Sequence, residues 1–120
     1  ARNRLAERYD RILVNLPVTV PWQHPDAYSS HHLYVIRLAA DQGVVGHRKV
    51  FNALRAGGIG VNLHYIPLHT QPYFVETQQL TGGWPEADRY YEQAISLPMF
   101  HHLTDAQQER VVEVLGAALE

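Results

Sequence analysis

The stretch that most constrains this chain runs from Gly57 to Phe74: Gly-Gly-Ile-Gly-Val-Asn-Leu-His-Tyr-Ile-Pro-Leu-His-Thr-Gln-Pro-Tyr-Phe. Two glycines end whatever helix comes before it, and Val61 to Ile66 alternate apolar and polar residues as a half-buried strand does. Pro67, His69, Gln71, Pro72 and Tyr73 then follow too closely for regular structure. The pattern predicts a strand that empties into a stiff loop carrying polar and aromatic side chains. Loops of this kind are free to bind, because their side chains are not committed to a core.

The elements around this stretch read as follows. Residues 2 to 14 place Leu5, Tyr9, Ile12 and Leu13 at helical spacing, with Arg4, Arg8 and Arg11 on a neighbouring face read as solvated, and Glu7 able to pair with Arg11. Pro17, Pro21 and Pro25 limit Val18 to Val20 to a short edge strand and make Trp22 to Ser30 a loop. His32 to Ala39 is apolar on both faces and reads as a central strand. Its one charged member, Arg37, would need a partner if buried. Gly46 to Ala56 turns Val50, Phe51 and Leu54 to one side, leaves His47, Arg48, Lys49 and Arg55 elsewhere, and stops at Gly57-Gly58.

Beyond the loop, Thr77 to Gly83 is turn-like, and Pro85 suits the first position of a helix through Ala94, with Glu86 and Asp88 in its first turn. Tyr90, Tyr91 and Ala94 are expected to face the sheet. Ile95 to Leu97 forms a short strand closed by Pro98. Thr104 with Gln107 is a capping box opening a helix whose core stripe is Val111, Val112, Leu115 and Leu119. The economical packing of these elements is a single α+β domain spanning residues 1–120, with a small mixed or antiparallel sheet and helices on one face.

Composition narrows the functional classes. With 120 residues, 46% of them hydrophobic and 18% charged, the chain is expected to fold around a core of its own. A net charge of -2 without clustered Lys and Arg gives no reason to expect nucleic acid or an anionic membrane as partner. No apolar run approaches the ~20 residues of a membrane helix, and no signal-peptide pattern opens the chain. Cysteine is absent, which permits a cytoplasmic location. The chain starts at Ala1 inside a helical pattern, as a piece of a longer protein would.

Several chemistries lack their signatures. Eight histidines invite a metal site, yet His31-His32 and His101-His102 are adjacent pairs, His64 and His69 are separated by Pro67, and no His-Glu-x-x-His occurs, so no native metal is expected. Ser29, Ser30 and Ser96 do not lie in Gly-x-Ser-x-Gly, and Gly57-Gly58-Ile59-Gly60 is too short for a phosphate loop. The one lysine, Lys49, sits on a basic, exposed helix face and not in the pocket that a Schiff-base lysine needs.

Ile59-Gly60, Leu63-His64-Tyr65, Pro67-Leu68-His69 and Gln71-Pro72-Tyr73 resemble the C-terminal domain of DegT/StrS-type sugar aminotransferases, pyridoxal-phosphate enzymes that aminate keto-sugar nucleotides. The blocks His32 to Leu38 and Ala94 to Phe100 follow the same family pattern, so the resemblance spans nearly the whole chain. It is closest to the pseudaminic-acid branch, a UDP-4-keto-6-deoxy-sugar 4-aminotransferase.

The resemblance implies a small domain whose parent binds pyridoxal 5'-phosphate (PLP), a UDP-sugar and glutamate and forms a homodimer. The Schiff-base lysine and the cofactor contacts would lie in a large domain outside this chain. No cofactor is then expected on this fragment, and it would be inactive alone. It implies substrate-facing roles for His64, Tyr65, His69, Gln71 and Tyr73, and a weaker one for Asn62. For Arg37 it leaves two readings open, a structural ion pair or a hold on the amino donor's carboxylate. Bland readings stand beside the others: Tyr65 and Tyr73 as packing residues, His69 as a brace hydrogen-bonded to backbone. Another class of function also stays open, an independent α+β module that binds a small ligand without a cofactor.

Overall fold

The computed structural model describes residues 1–120. Three strands, β1 (Val18–Thr19), β2 (Tyr34–Leu38) and β3 (Ala94–Leu97), form an antiparallel sheet in the order β1-β2-β3. Five helices accompany it: α1 (Arg2–Ile12), α2 (Gly43–Ala56), α3 (Pro72–Thr77), α4 (Pro85–Gln93) and α5 (Asp105–Leu119). The α+β class is therefore correct, and the sheet is wholly antiparallel.

Register decides which residues reach the core. Tyr34 pairs with Leu97 and Ile36 with Ile95, and paired residues share a sheet face, so these four side chains point together into the core. Leu5 and Tyr9 from α1, Val50 and Leu54 from α2, and Val111, Leu115 and Ala118 from α5 close over them. Arg37 falls on the opposite face and is exposed, with no carboxylate within ion-pair distance. The expected burial of this strand on both faces, and with it the structural ion pair, is corrected: alternation along β2 sends Arg37 to solvent.

The ends of the elements follow local chemistry. Gly58 adopts φ 79, which a side chain would resist, and stops the chain after α2. Gly57 serves differently, since a Cβ there would come within 2.7 Å of the Val114 side chain, so this glycine lets α2 and α5 approach. Thr104 accepts from the Gln107 amide at 3.2 Å and the Gln107 side chain accepts from the Thr104 amide at 2.9 Å, completing the expected capping box.

The α1 arginines do not form a purely solvated face. Arg4 pairs with Asp105 at 2.9 Å, and Arg8 reaches both Asp105 at 3.5 Å and Glu109 at 2.6 Å, tying α1 to the start of α5. These bonds hold the exposed Asp105 carboxyl below its ordinary pKa, with the hydrogen bond from Arg4 the main cause. Arg11 and Glu7 form no pair. Beneath them the buried Gln108 donates to the Leu5 carbonyl at 2.9 Å. Tyr9 and Tyr34 pack with ring centroids 4.9 Å apart, donating to the Pro98 carbonyl and to Asp10 respectively.

Four other expectations change. The run from Val61 to Ile66 is not a full strand: one antiparallel bridge joins Asn62 to Ser96, and the chain then leaves the sheet. The loop beyond it is partly helical, with a 3-10 turn at Leu68–Thr70 and α3 starting at Pro72, because a proline at the first helical position sacrifices no hydrogen bond. Tyr90 is 41% exposed and does not face the sheet, whereas His47, read as part of an exposed basic face, is buried and donates through Nε2 to the Ala94 carbonyl at 3.0 Å.

Candidate functional site

A groove of about 510 Å³ lies where the turn after α2, the segment through His64, the end of β3 and the first turns of α5 meet. Its position follows from the Asn62 bridge. The Asn62 amide donates to the Ser96 carbonyl at 3.2 Å, and the Ser96 amide donates to the Asn62 carbonyl at 2.9 Å. This adds one rung of sheet beyond β3. Alternation then turns Val61 into the core and sets Asn62 and His64 on the face opposite it, as the spacing from Leu63 implied.

His64 is half-buried, and its Nδ1 is hydrogen-bonded to Ser96 Oγ at 2.8 Å. Asn62, His64 and Ser96 all line the groove, with main chain from Gly57 to Gly60 forming another wall. Gln107 and Arg110 of α5 contribute from the far side, and Arg110 is paired with Glu113 at 2.9 Å. No aspartate or glutamate lines the groove.

The six candidates from the sequence do not form one cluster. Asn62 and His64 meet at the groove. Tyr65 follows directly, through a cis peptide, but is 71% exposed; its ring stands edge-on to His64 with centroids 4.6 Å apart, and it does not line the groove. His69, Gln71 and Tyr73 lie in a second group. His69 Nε2 sits 2.9 Å from Asp88 Oδ1 of α4, and its ring stacks on Trp84 with centroids 5.1 Å apart. It is braced, then, by an α4 side chain and not by backbone. Gln71 caps the start of α3, its carbonyl accepting from the Val75 amide. Tyr73 is 59% exposed, packs edge-on against Phe74, and its hydroxyl accepts from Gln79 at 3.3 Å.

Ser96, Gln107 and Arg110 were not among the sequence candidates. Ser96 does carry a signal, being the one polar residue in an otherwise apolar strand. Nothing local marks Arg110, whose i, i+3 pairing with Glu113 reads as an ordinary helix surface.

A model of the DegT/DnrJ/EryC1/StrS aminotransferase family matches residues 1–116. The chain belongs to that family. It is 30% identical over 121 residues to SpsC, a spore coat polysaccharide biosynthesis protein of Bacillus subtilis (strain 168), an alignment covering 95% of this chain and 30% of SpsC. Among solved structures it is similar to PseC of Helicobacter pylori, an aminotransferase involved in the biosynthesis of pseudoaminic acid, with 25% identity, 98% of this chain, 32% of PseC and a TM-score of 0.85. DesV of S. venezuelae, solved with a ketimine intermediate, shows 29% identity over 99% of this chain and 31% of DesV, with a TM-score of 0.84. A Streptococcus pneumoniae protein solved in apo, PMP and PLP forms shares the fold at a TM-score of 0.89 and 23% identity, covering 98% of this chain and 29% of the apo-form chain. The chain thus spans about a third of the length of these relatives.

The residues of this chain do not by themselves make the PLP site of a DegT-family enzyme. Lys49 is exposed on α2 and does not line the groove, and no acid is present there to face a pyridine nitrogen. Nor do three or more histidines or acids converge on a point that could hold a metal ion. What the groove offers is a few hydrogen-bonding side chains, Asn62, His64, Ser96, Gln107 and Arg110, set in a lining that is otherwise largely apolar, with Leu97, Met99 and Phe100 among it.

Proposed function

We propose that this chain is the C-terminal small domain of a PLP-dependent sugar-nucleotide aminotransferase. The observation that carries the reading is the family match over residues 1–116, on a chain about a third as long as its relatives and with its one lysine outside the groove. In this reading a large domain elsewhere in the parent supplies the Schiff-base lysine and holds PLP, which provides the electron sink for amino transfer. The small domain orients the sugar side of the substrate, with Asn62 and His64 in the groove, Tyr65 exposed beside His64 for contact from the large-domain side, and His69, Gln71 and Tyr73 as a second, separate group.

The likeness to PseC supports the finer reading: transfer of an amino group from glutamate to the C4 ketone of a UDP-linked 6-deoxy amino sugar, for surface polysaccharide. SpsC, a polysaccharide biosynthesis protein, points the same way. The parent would be a cytoplasmic homodimer. No helix here is long and apolar enough to cross a membrane, which fits that location. The separate chain would be inactive.

The test uses the full-length parent. His64→Ala is expected to lower kcat/KM for the keto-sugar nucleotide at least tenfold while PLP affinity, read from cofactor absorbance, changes less than twofold. Unchanged kinetics would remove His64 from the substrate site. A parent gene without a lysine-bearing cofactor domain would overturn the whole reading.

A further inference from the structure

Ser96 is 4% exposed, on a strand whose other residues are all buried and apolar. A hydroxyl enclosed to that degree must satisfy its proton as well as its lone pairs. Both main-chain polar groups of Ser96 are already used in the bridge to Asn62, and its Oγ has one protein partner, His64 Nδ1 at 2.8 Å. If Nδ1 carried the ring proton it would donate to Oγ, and the hydroxyl proton would have no acceptor on the protein. The satisfied arrangement is the reverse, with the hydroxyl donating to a bare Nδ1.

We infer that Ser96 is a positioning residue that holds neutral His64 as its Nε2–H tautomer, so that the histidine meets the groove as a hydrogen-bond donor and not as a proton acceptor. The polar groups that α5 adds to the largely apolar lining agree. Gln107 Oε1 is occupied by the Thr104 amide, which leaves the Gln107 amino group without a partner, and Arg110 adds further N–H groups. With no carboxylate in the wall, the groove suits a ligand group rich in acceptor oxygens, such as a sugar hydroxyl, a carbonyl or a phosphate. The part concerning ligand rests on the reading of the groove as substrate-facing. The tautomer does not.

The experiment is ring nitrogen NMR on the ¹⁵N-labelled 120-residue chain at about pH 8.5, above the ordinary histidine range, with His64 assigned by the loss of its signals in His64→Gln. The expected wild-type spectrum shows the proton on Nε2 and an unprotonated Nδ1. In Ser96→Ala the same ring should shift to a mixture of both tautomers. Should that variant not fold, Ser96→Cys keeps the shape with a much weaker donor and should move the ring in the same direction. A wild-type proton on Nδ1 would overturn the proposal, and so would a tautomer unchanged in a folded Ser96 variant. Because no cofactor or substrate is present, either result leaves the aminotransferase reading standing, whereas normal turnover of the His64→Ala parent would remove His64 from the substrate site and leave the tautomer untouched.

Discussion

Two regions of this chain are built on different terms. Around α1, β2 and α5, large side chains such as Leu5, Tyr9, Tyr34, Ile36 and Leu115 are almost wholly buried in one shared core. From residue 62 to 93, by contrast, no residue is buried, although the segment includes α3 and α4 and carries Tyr65, Ile66, Leu68, Tyr73 and Val75 well exposed. The first region is held by apolar burial. The second is attached more thinly: Asn62 bridges to Ser96, Leu63 packs against the core edge, α4 lies against α2 and β2, and His69 joins Asp88 and Trp84 within the segment itself. A protein that spends the side chains of one region on its core keeps those of the other for different work.

The largest expected effect separates the two regions by stability. Leu115→Ala, at a fully buried position, should lower unfolding free energy by about 2–5 kcal/mol, while Leu68→Ala, at 65% exposure, should stay within about 0.5 kcal/mol. Urea midpoints of the two variants give the contrast directly. Equal losses would mean that residues 62–93 are packed in solution as tightly as the core.

A smaller effect probes the buried tyrosine pair. Burial raises the phenol pKa of both Tyr9 and Tyr34 above the ordinary 10.0, and for Tyr34 the bond to Asp10 adds to the rise. A folded-state pKa raised in this way contributes stability fully present below about pH 10 and lost as pH climbs toward the folded values. Urea midpoints should therefore hold steady to pH 9 to 10, by the ordinary phenol value, and then fall. Tyr34→Phe should cost about 1 kcal/mol at neutral pH through the lost hydrogen bond and flatten the alkaline decline. A decline as steep as the wild type's would show that Tyr34 is not its source.

The smallest global effect belongs to the brace. His69→Ala should move the unfolding midpoint by no more than about 0.5 kcal/mol, because the pair with Asp88 is partly exposed. Amide exchange should nevertheless speed up locally, in residues 66–77 and at the start of α4, with α1 and α5 unaffected. Uniform exchange changes across the chain would show that the brace belongs to the core after all.

Much of this division is legible in the residues. The edge strand at Val18, the proline that begins α4, the Thr104–Gln107 cap and the glycines after α2 are local devices. Each is signalled by residues a few positions away, even where, as for Gly57 against Val114, a distant contact uses it, and each is where its spacing implies. The misplaced features are those in which short-range pattern competes with distant contacts. Val61 to Ile66 alternates like a strand, but β3 offers it a single bridge. His47 lies in a basic cluster, yet the Ala94 carbonyl draws it under cover. Arg37 sits in an apolar run, and register turns it outward.

For the candidate site, the sequence alone determined which stretch carries polar and aromatic side chains free of the core, and that Asn62 and His64 share a side opposite Val61 and Leu63, because the two-residue repeat of extended chain is a local property. Tertiary structure decided which of the candidates meet. His64 finds its partner in Ser96, 32 residues further along, and His69 finds Asp88 across a turn and a helix. Pairings at such separations depend on how the sheet and helices come together, and no local spacing encodes that geometry.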